Sequence, residues 1–233
     1  MTGVLPAELG NFKKLQQLDL SHSKVTGSVR ASIFNISALQ LLGLHLNKLS
    51  GTLPSNLGRG MPNREQFLYG GNNLSGFVSA SISNSSRLRV IDLAGNDFTG
   101  SIPESLGNLE YLEVLSLGKN SFFSDSTFSF LASLTNCRNL RVLSFSDNPL
   151  DGVLPTPIGN LSNSLLCFEG DGCKLKGVIP QEIGNLTRVT KNRLFSNELS
   201  GHIPNTLKCM LNPQEFYLQS NKIEGAISMS YEV

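Results

Sequence analysis

Few residues of this sequence have the types and the spacing that chemistry needs. If their segments form adjacent strands, His22 and His45 lie side by side near Asp19, and such a trio could hold a metal ion or act as a base. Exposed polar residues at variable positions of a repeat would give the same pattern, and this is the interpretation we favour. No paired carboxylates, nucleophile motif or phosphate-binding loop occurs elsewhere. We therefore predict no catalytic residue, no metal site and no cofactor.

The four cysteines form neither a CxxC pair nor a zinc pattern with the histidines. A disulfide between Cys167 and Cys173 is one alternative for a secreted protein, but the repeat register points these two side chains in different directions. We expect Cys173 and Cys137 to be buried thiols. Cys167 is expected to face the concave side of the molecule, and Cys209 the convex turn.

Bulk composition excludes several classes of partner. The formal net charge is +1 and only 16% of residues are charged, so no global charge attracts nucleic acid. No run of eighteen apolar residues could span a bilayer, and the first ten residues lack the basic start and apolar run of a secretory signal. We predict no nucleic-acid partner and no membrane insertion.

One phrase recurs along nearly the whole chain, and residues 88–103 (LRVIDLAGNDFTGSIP) show it best. Apolar residues alternate with polar ones as in a half-buried strand, and an asparagine turn follows. After a half repeat at residues 1–14, the repeats start at Leu15, Leu39, Arg64, Leu88, Leu112, Leu140, Leu165, Val189 and Pro213. The steps are 24 or 25 residues with one of 28, which is typical of a leucine-rich repeat solenoid. We predict a single array over residues 1–233.

The predicted fold is an α/β solenoid, wound as a right-handed superhelix. A parallel sheet lines its concave side, short second strands flank it, and 3-10 or helical turns cover its convex side. An asparagine in most repeats is expected to satisfy backbone groups of the tight turn, and Ser23 and Cys173 take its place in the other two. Four core positions depart from the apolar pattern: Arg64, Gly170, Asn192 and Pro213. We expect a buried unpaired charge at Arg64, unless it reaches solvent, and a missing core side chain at Gly170.

The LxGxIP phrase, as in FTGSIP (98–103) and LSGHIP (199–204), gives the chain a family resemblance. It resembles the plant-specific class of leucine-rich repeats found in receptor kinase ectodomains. The 28-residue unit is similar to one in the subfamily that includes the bacterial elongation-factor-Tu receptor. The resemblance implies a non-catalytic immune or developmental recognition module outside the plasma membrane or in the apoplast. A protein or peptide ligand is then expected, with a co-receptor as a further partner.

Two other functions occur in the same class of repeats. One is a soluble inhibitor of a cell-wall hydrolase, similar to polygalacturonase inhibitors, and the other is an ice-binding protein. Cysteine caps, a membrane helix and kinase motifs do not occur in this sequence, so we interpret it as a piece of a larger ectodomain. An irregular concave face argues against ice binding, which would need a flat array of small polar residues.

The repeat register predicts a ligand-binding patch on the concave face near the C-terminal repeats. Its members combine charged and aromatic side chains on adjacent strands: Asp147, Glu169, Asp171, Arg193, Phe195 and Tyr217. Since neighbouring strands lie about 4.8 Å apart, the patch would measure roughly 15 Å across. Aromatic residues ringed by charges are typical of a peptide-binding hot spot. The alternative is a surface ion pair between Arg193 and Glu169 with scattered aromatic residues, which would contribute little.

Five N-x-S/T sequences mark candidate glycosylation sites: Asn35, Asn73, Asn84, Asn160 and Asn185. Two of them follow from the repeat consensus GNLS/T. Asn73 lies beside the asparagine ladder, where we expect crowding to hinder modification.

Overall fold

The strands of the protein are short and recur once or twice per repeat. A computed structural model describes residues 3–125 and 127–225, so the predicted ends of the array at residues 1 and 233 lie outside it. The strands are β1 (Gly3–Val4), β2 (Gln17–Asp19), β3 (Val25–Gly27), β4 (Leu41–Gly43), β5 (Lys48–Thr52), β6 (Gln66–Leu68), β7 (Asn73–Phe77), β8 (Val90–Asp92), β9 (Asp97–Ser101), β10 (Val114–Ser116), β11 (Ser121–Phe123), β12 (Val142–Ser144), β13 (Cys167–Glu169), β14 (Lys176–Val178), β15 (Lys191–Arg193), β16 (Glu198–Gly201), β17 (Glu215–Tyr217) and β18 (Lys222–Ile223).

The predicted solenoid with a parallel concave sheet is confirmed. Nine strands pair in the order β17-β15-β13-β12-β10-β8-β6-β4-β2, each with the equivalent residues of the next repeat. Alternation places Ile91 in the core and leaves Val90 and Asp92 on the outer face. Equivalent side chains of successive repeats therefore stand in columns across the concave face.

The convex side consists of single helical turns. Its one α-helix in the described residues is α1 (Ser129–Ser133). The 3-10 helices are Ala7–Asn11, Ala31–Asn35, Ala80–Asn84, Glu104–Asn108, Leu134–Asn136, Thr156–Asn160, Gln181–Asn185 and Asn205–Cys209. The proline of the LxGxIP phrase precedes many of them, since it ends the strand and presets the backbone of the turn.

The second strands form two flank sheets rather than one. The first is a six-stranded sheet with the order β1-β3-β5-β7-β9-β11. The second is a three-stranded sheet with the order β14-β16-β18. Between them lies the repeat that starts at Leu140, which follows α1 of the 28-residue repeat and contributes to the pairing only an isolated bridge from Val153 to Lys176. The sequence analysis did not predict this interruption, although it recognised the longer repeat.

The predicted asparagine ladder holds the turns together. The Nδ2 amide of Asn120 donates to the carbonyl oxygens of Leu93 (2.9 Å) and Leu117 (3.0 Å), and its Oδ1 accepts from the backbone N–H of Phe98 (3.0 Å). One side chain thus satisfies backbone groups of its own repeat and of the preceding one. Asn72, Asn96, Asn148, Asn197 and Asn221 bond in the same way.

The departures from the apolar pattern have different outcomes. Arg64 is fully buried, as predicted, and it does not reach solvent. The prediction of a hole at Gly170 is wrong, because the ring of Phe145 from the preceding repeat fills the space: a Cβ on Gly170 would lie 2.5 Å from Phe145 Cε2. Asn192 is buried, and its amide has no hydrogen-bond partner among the described residues. Pro213 precedes β17 at an exposed position.

Candidate functional site

The last three strands of the concave sheet bring the central residues of the predicted patch together. In the register of β13, β15 and β17, Glu169 pairs with Arg193, and Arg193 with Tyr217. Phe195 follows two residues after Arg193 and is half-buried. The register therefore places one carboxylate, one guanidinium and two aromatic rings on adjacent strands, as the sequence predicts.

Arg193 is the centre of this arrangement. Its Nη2 donates to Glu215 Oε2 at 3.2 Å, and its Cζ lies 5.6 Å from the centre of the Tyr217 ring, within cation–π range. Its Nε lies 3.8 Å from Glu169 Oε1, which is too far for a hydrogen bond. The Nε–H is buried and has no acceptor among the described residues, whereas the side chain as a whole keeps 36% of its surface exposed.

The sequence analysis missed two charged members of the same surface, Lys191 and Glu215. Lys191 Nζ lies 2.8 Å from Glu169 Oε1, and Glu215 holds Arg193 from the other side. Lys191 and Glu215 are the first residues of β15 and β17. Each lies two positions before the patch residue of the same strand, Arg193 or Tyr217. Strand alternation is the signal that could have found them, because the first and third residues of each three-residue strand share the outer face.

The ion pair between Lys191 and Glu169 keeps both side chains charged. Burial would by itself raise the pKa of Glu169, but the hydrogen bond and charge of Lys191 outweigh it, so the pKa lies below its ordinary value of 4.5. The same hydrogen bond raises the pKa of Lys191. The pair therefore adds one carboxylate and one cation to the surface beside Arg193.

The two aspartates of the predicted patch differ in their access to a ligand. Asp147 is exposed, with a positive φ of 53° in its turn. Asp171 is only 8% exposed, and the hydroxyl of Ser146 donates to its Oδ1 at 2.7 Å. Asp171 thus supports the edge of the surface more than it faces outward.

The histidines do neighbour each other near Asp19, as predicted. Their rings lie 5.1 Å apart and nearly perpendicular, and Ser21 Oγ is 2.6 Å from His45 Nδ1. Asp19 Oδ1 accepts from the hydroxyl and the N–H of Ser21, which lower the pKa of Asp19. In this arrangement the carboxylate accepts hydrogen bonds from the serine, whereas in a hydrolase triad the carboxylate accepts a hydrogen bond from the histidine ring. Nor do the described residues include a group of three His, Cys, Asp or Glu arranged to hold a metal.

All four cysteines are free thiols, so Cys167 and Cys173 form no disulfide. Cys173 and Cys137 are buried, Cys167 is half-buried, and Cys209 is exposed, as the register predicts. Burial raises the pKa of Cys137 to about 11 and that of Cys173 to about 12.

The five candidate glycosylation asparagines, Asn35, Asn73, Asn84, Asn160 and Asn185, are all exposed. The expected crowding at Asn73 is therefore wrong, because β7 turns this side chain away from the ladder. No helix in the described ranges is long and apolar enough to cross a membrane.

Comparison of the sequence with known proteins agrees with this architecture. The Leucine Rich Repeat family model matches residues 87–109 and 139–161. A probable LRR receptor-like serine/threonine-protein kinase of Arabidopsis thaliana is 46% identical over 61 residues, which make up 25% of this chain and 6% of that protein. Receptor kinase-like protein Xa21 of Oryza sativa subsp. japonica is 36% identical over 80 residues, 34% of this chain and 8% of that protein. The matches thus cover less than a tenth of either kinase.

Solved structures extend the likeness to nearly the whole chain. Plant peptide hormone receptor RGFR1, in complex with RGF2, has a TM-score of 0.88 and 29% identity, and the match covers 95% of this chain and 35% of that one. The Arabidopsis receptor kinase HAESA, in complex with the peptide hormone IDA and the co-receptor SERK1, has a TM-score of 0.71 and 26% identity, over 95% of this chain and 44% of that one.

A plant ice-binding protein shares the fold alone, with a TM-score of 0.73 and 21% identity over 97% of this chain and 78% of that one. The kinase relatives and the solved receptor structures, by contrast, are all plant receptors or receptor-like proteins. The chain is a leucine-rich repeat solenoid, similar in sequence to plant leucine-rich repeat receptor-like kinases and in structure to plant peptide-hormone receptor ectodomains.

Proposed function

We propose that this chain is the peptide-recognition part of a plant cell-surface receptor, and that it binds its ligand on the concave face of β13, β15 and β17. It acts by binding and has no chemistry of its own. The parent protein works at the outer face of the plasma membrane or in the apoplast, in immune or developmental signalling. Residues 1–233 form one repeat array, and glycans occupy the exposed sequons.

The observation that carries this proposal is the preorganised guanidinium of Arg193. Glu169 and Glu215 lie on either side of it, Tyr217 flanks it with 40% of its surface exposed, and the Arg193 side chain itself keeps 36% of its surface exposed. An extended peptide crossing these strands would find a donor for a backbone carbonyl and an aromatic surface for an apolar side chain. Arginine and tyrosine are also the residues enriched in binding hot spots.

The outer columns of the concave sheet do not favour ice binding. The column of Asp92 and Ser116 runs on to Glu169, Arg193 and Tyr217, so charge and side-chain size change from strand to strand. A hydrolase inhibitor would use a charged and aromatic patch as well, and the experiment below separates it because its ligand is a folded enzyme.

Panning a phage-displayed library of random dodecapeptides against the full chain tests the proposal. We expect selected peptides whose affinity falls at least about tenfold in the F195A/Y217A variant, because truncated hot-spot aromatics typically cost about 2 kcal/mol or more. Binding is measured by isothermal titration calorimetry with synthetic copies of the selected peptides.

The matched control is F12A/F77A, which removes two exposed aromatic rings away from the concave sheet. It should leave the affinity within about twofold. Equal binding to wild type and F195A/Y217A would contradict the proposal, and so would an equal loss in F12A/F77A. If the library yields no binder while a folded cell-wall hydrolase binds the full chain in parallel calorimetry, the inhibitor function replaces the proposal.

A further inference from the structure

A second feature lies beside this surface, at the edge where the concave strands begin. A shallow cleft of about 260 Å³ is lined by Glu113, Asn139, Arg141, Ser164, Leu166 and Arg188. Backbone hydrogen bonds fix its lining from repeat to repeat: Arg141 N donates to Glu113 O (2.8 Å), and Leu166 N to Arg141 O (2.8 Å). The cleft is therefore part of the rigid sheet and not of a loose loop.

A small side chain stands in the middle of the lining. In the column just before each first core position, Ser164 stands between Asn139 and Arg188. Leu166 forms its half-buried apolar floor. Two steps of about 4.8 Å separate the coil of Arg141 from that of Arg188, so the two arginines flank the coil of Ser164 and Leu166 in the stack.

The charge in the cleft is positive and uncompensated. Glu113 is the one acid in the lining, and its Oε1 already lies 2.7 Å from Arg89 Nη2 outside the cleft. Arg141 and Arg188 are both exposed, and neither makes a salt bridge with a described residue. Two cations with free planar donors match a carboxylate, which guanidinium groups bind through paired hydrogen bonds.

We infer that this cleft binds an acidic segment of a peptide, with Arg141 and Arg188 as the residues that take its carboxylates. The inference rests on the proposed peptide recognition and extends it, because Leu166 leads directly into β13 and the cleft is continuous with the concave surface. A peptide that contacts Arg193 and Tyr217 would carry its acidic residues towards the start of the strands.

Fluorescence anisotropy with fluorescein-labelled pentaglutamate, at about 50 mM salt, tests the inference on the full chain. Pentaglutamine is the uncharged comparison. We expect pentaglutamate to bind and the R141Q/R188Q variant to weaken it at least tenfold. The control variant R30Q/R59Q removes the same two charges from exposed positions elsewhere, and it should stay within about twofold of wild type.

Three results would overturn the inference: no pentaglutamate binding, equal binding of pentaglutamine, or equal losses in the two double variants. The last would mean attraction by overall charge alone. The effect of F195A/Y217A on the selected dodecapeptides tests the concave patch, and the effect of R141Q/R188Q on pentaglutamate tests the cleft, so failure of the cleft and failure of the proposed function are distinguishable.

Discussion

Arg64 is a charged side chain that solvent does not reach. Its Nη2 donates to the sulfur of Met61 at 3.0 Å, a weak acceptor, and Nε and Nη1 have no partner in the described part of the chain. Burial lowers its pKa to about 10. The hydroxyl of Tyr69 is also buried without a partner. A leucine occupies the equivalent position in most repeats. The third repeat is therefore destabilised by the free-energy cost of burying the cation of Arg64.

Replacing this residue by the repeat consensus should stabilise the protein. We expect R64L to raise the free energy of unfolding by about 1–3 kcal/mol, because an uncompensated buried charge is exchanged for apolar contacts. Urea denaturation followed by circular dichroism measures the change. The exposed R59L is the matched control and should stay within about 0.5 kcal/mol of wild type. A loss of stability in R64L would show that the guanidinium is satisfied in solution.

At the scale of the strands, neighbouring repeats compensate for each other's side chains. Gly170 leaves room in its own repeat, and Phe145 from the repeat before fills it, packing against Phe130 and Phe168 with ring centres 5.8 and 5.5 Å apart. Core volume is therefore conserved across two coils and not within one. A glycine at a core position therefore indicates a cavity only when no large side chain of the adjacent coil fills the space beside it.

A double-mutant cycle tests this exchange. G170L alone should lower the free energy of unfolding by about 1–3 kcal/mol, because its side chain overlaps the Phe145 ring. In the F145L/G170L double variant, two leucines share the same space, so the loss should be at least about 1 kcal/mol smaller than the sum of the single losses. Denaturant titration of the four proteins measures the coupling. Additive losses would show that the two positions do not share one volume.

The whole molecule is a stack in which each coil packs on its neighbours alone. The apolar residues that pack against the core but stay only partly buried lie in the coils near the two ends of the described array: Leu9, Leu15, Leu18, Leu20, Leu207, Phe216, Leu218 and Ile223. Central residues such as Leu115 and Leu143 are fully buried. Because stability in a solenoid is close to a sum of neighbour terms, the coils at either end of this chain have fewer such terms.

Amide hydrogen exchange should follow this gradient. Leu20 N donates to Gly43 O and Leu117 N to Ser144 O, both at 2.8 Å and at equivalent positions of the repeat. We expect the Leu117 amide to exchange at least tenfold more slowly, because the first coil can open without the centre. Exchange followed by NMR on the intact chain measures both rates. Equal protection at the two amides would mean that the array opens as one unit.

The repeat register predicts which residues of the candidate site lie on adjacent strands, but it does not predict which side chains form ion pairs. Counting from one repeat to the next placed Glu169, Arg193 and Tyr217 on adjacent strands, because a parallel sheet of identical coils has no freedom in register. The pairing of Lys191 with Glu169, and the choice of Glu215 over Glu169 as the closer partner of Arg193, depend on side-chain directions that a column count does not contain.

The sequence by itself determined the fold, because a period of 24 or 25 residues with fixed apolar, asparagine and glycine positions leaves one way to stack the coils. The tertiary structure alone decided what happens where the repeats differ. Phe145 reaches into the next coil, the repeat after the 28-residue unit interrupts the flank strands, and a cleft forms around Ser164 between Asn139 and Arg188. Each of these depends on the volumes of side chains in two coils at once, which a pattern read one coil at a time does not specify.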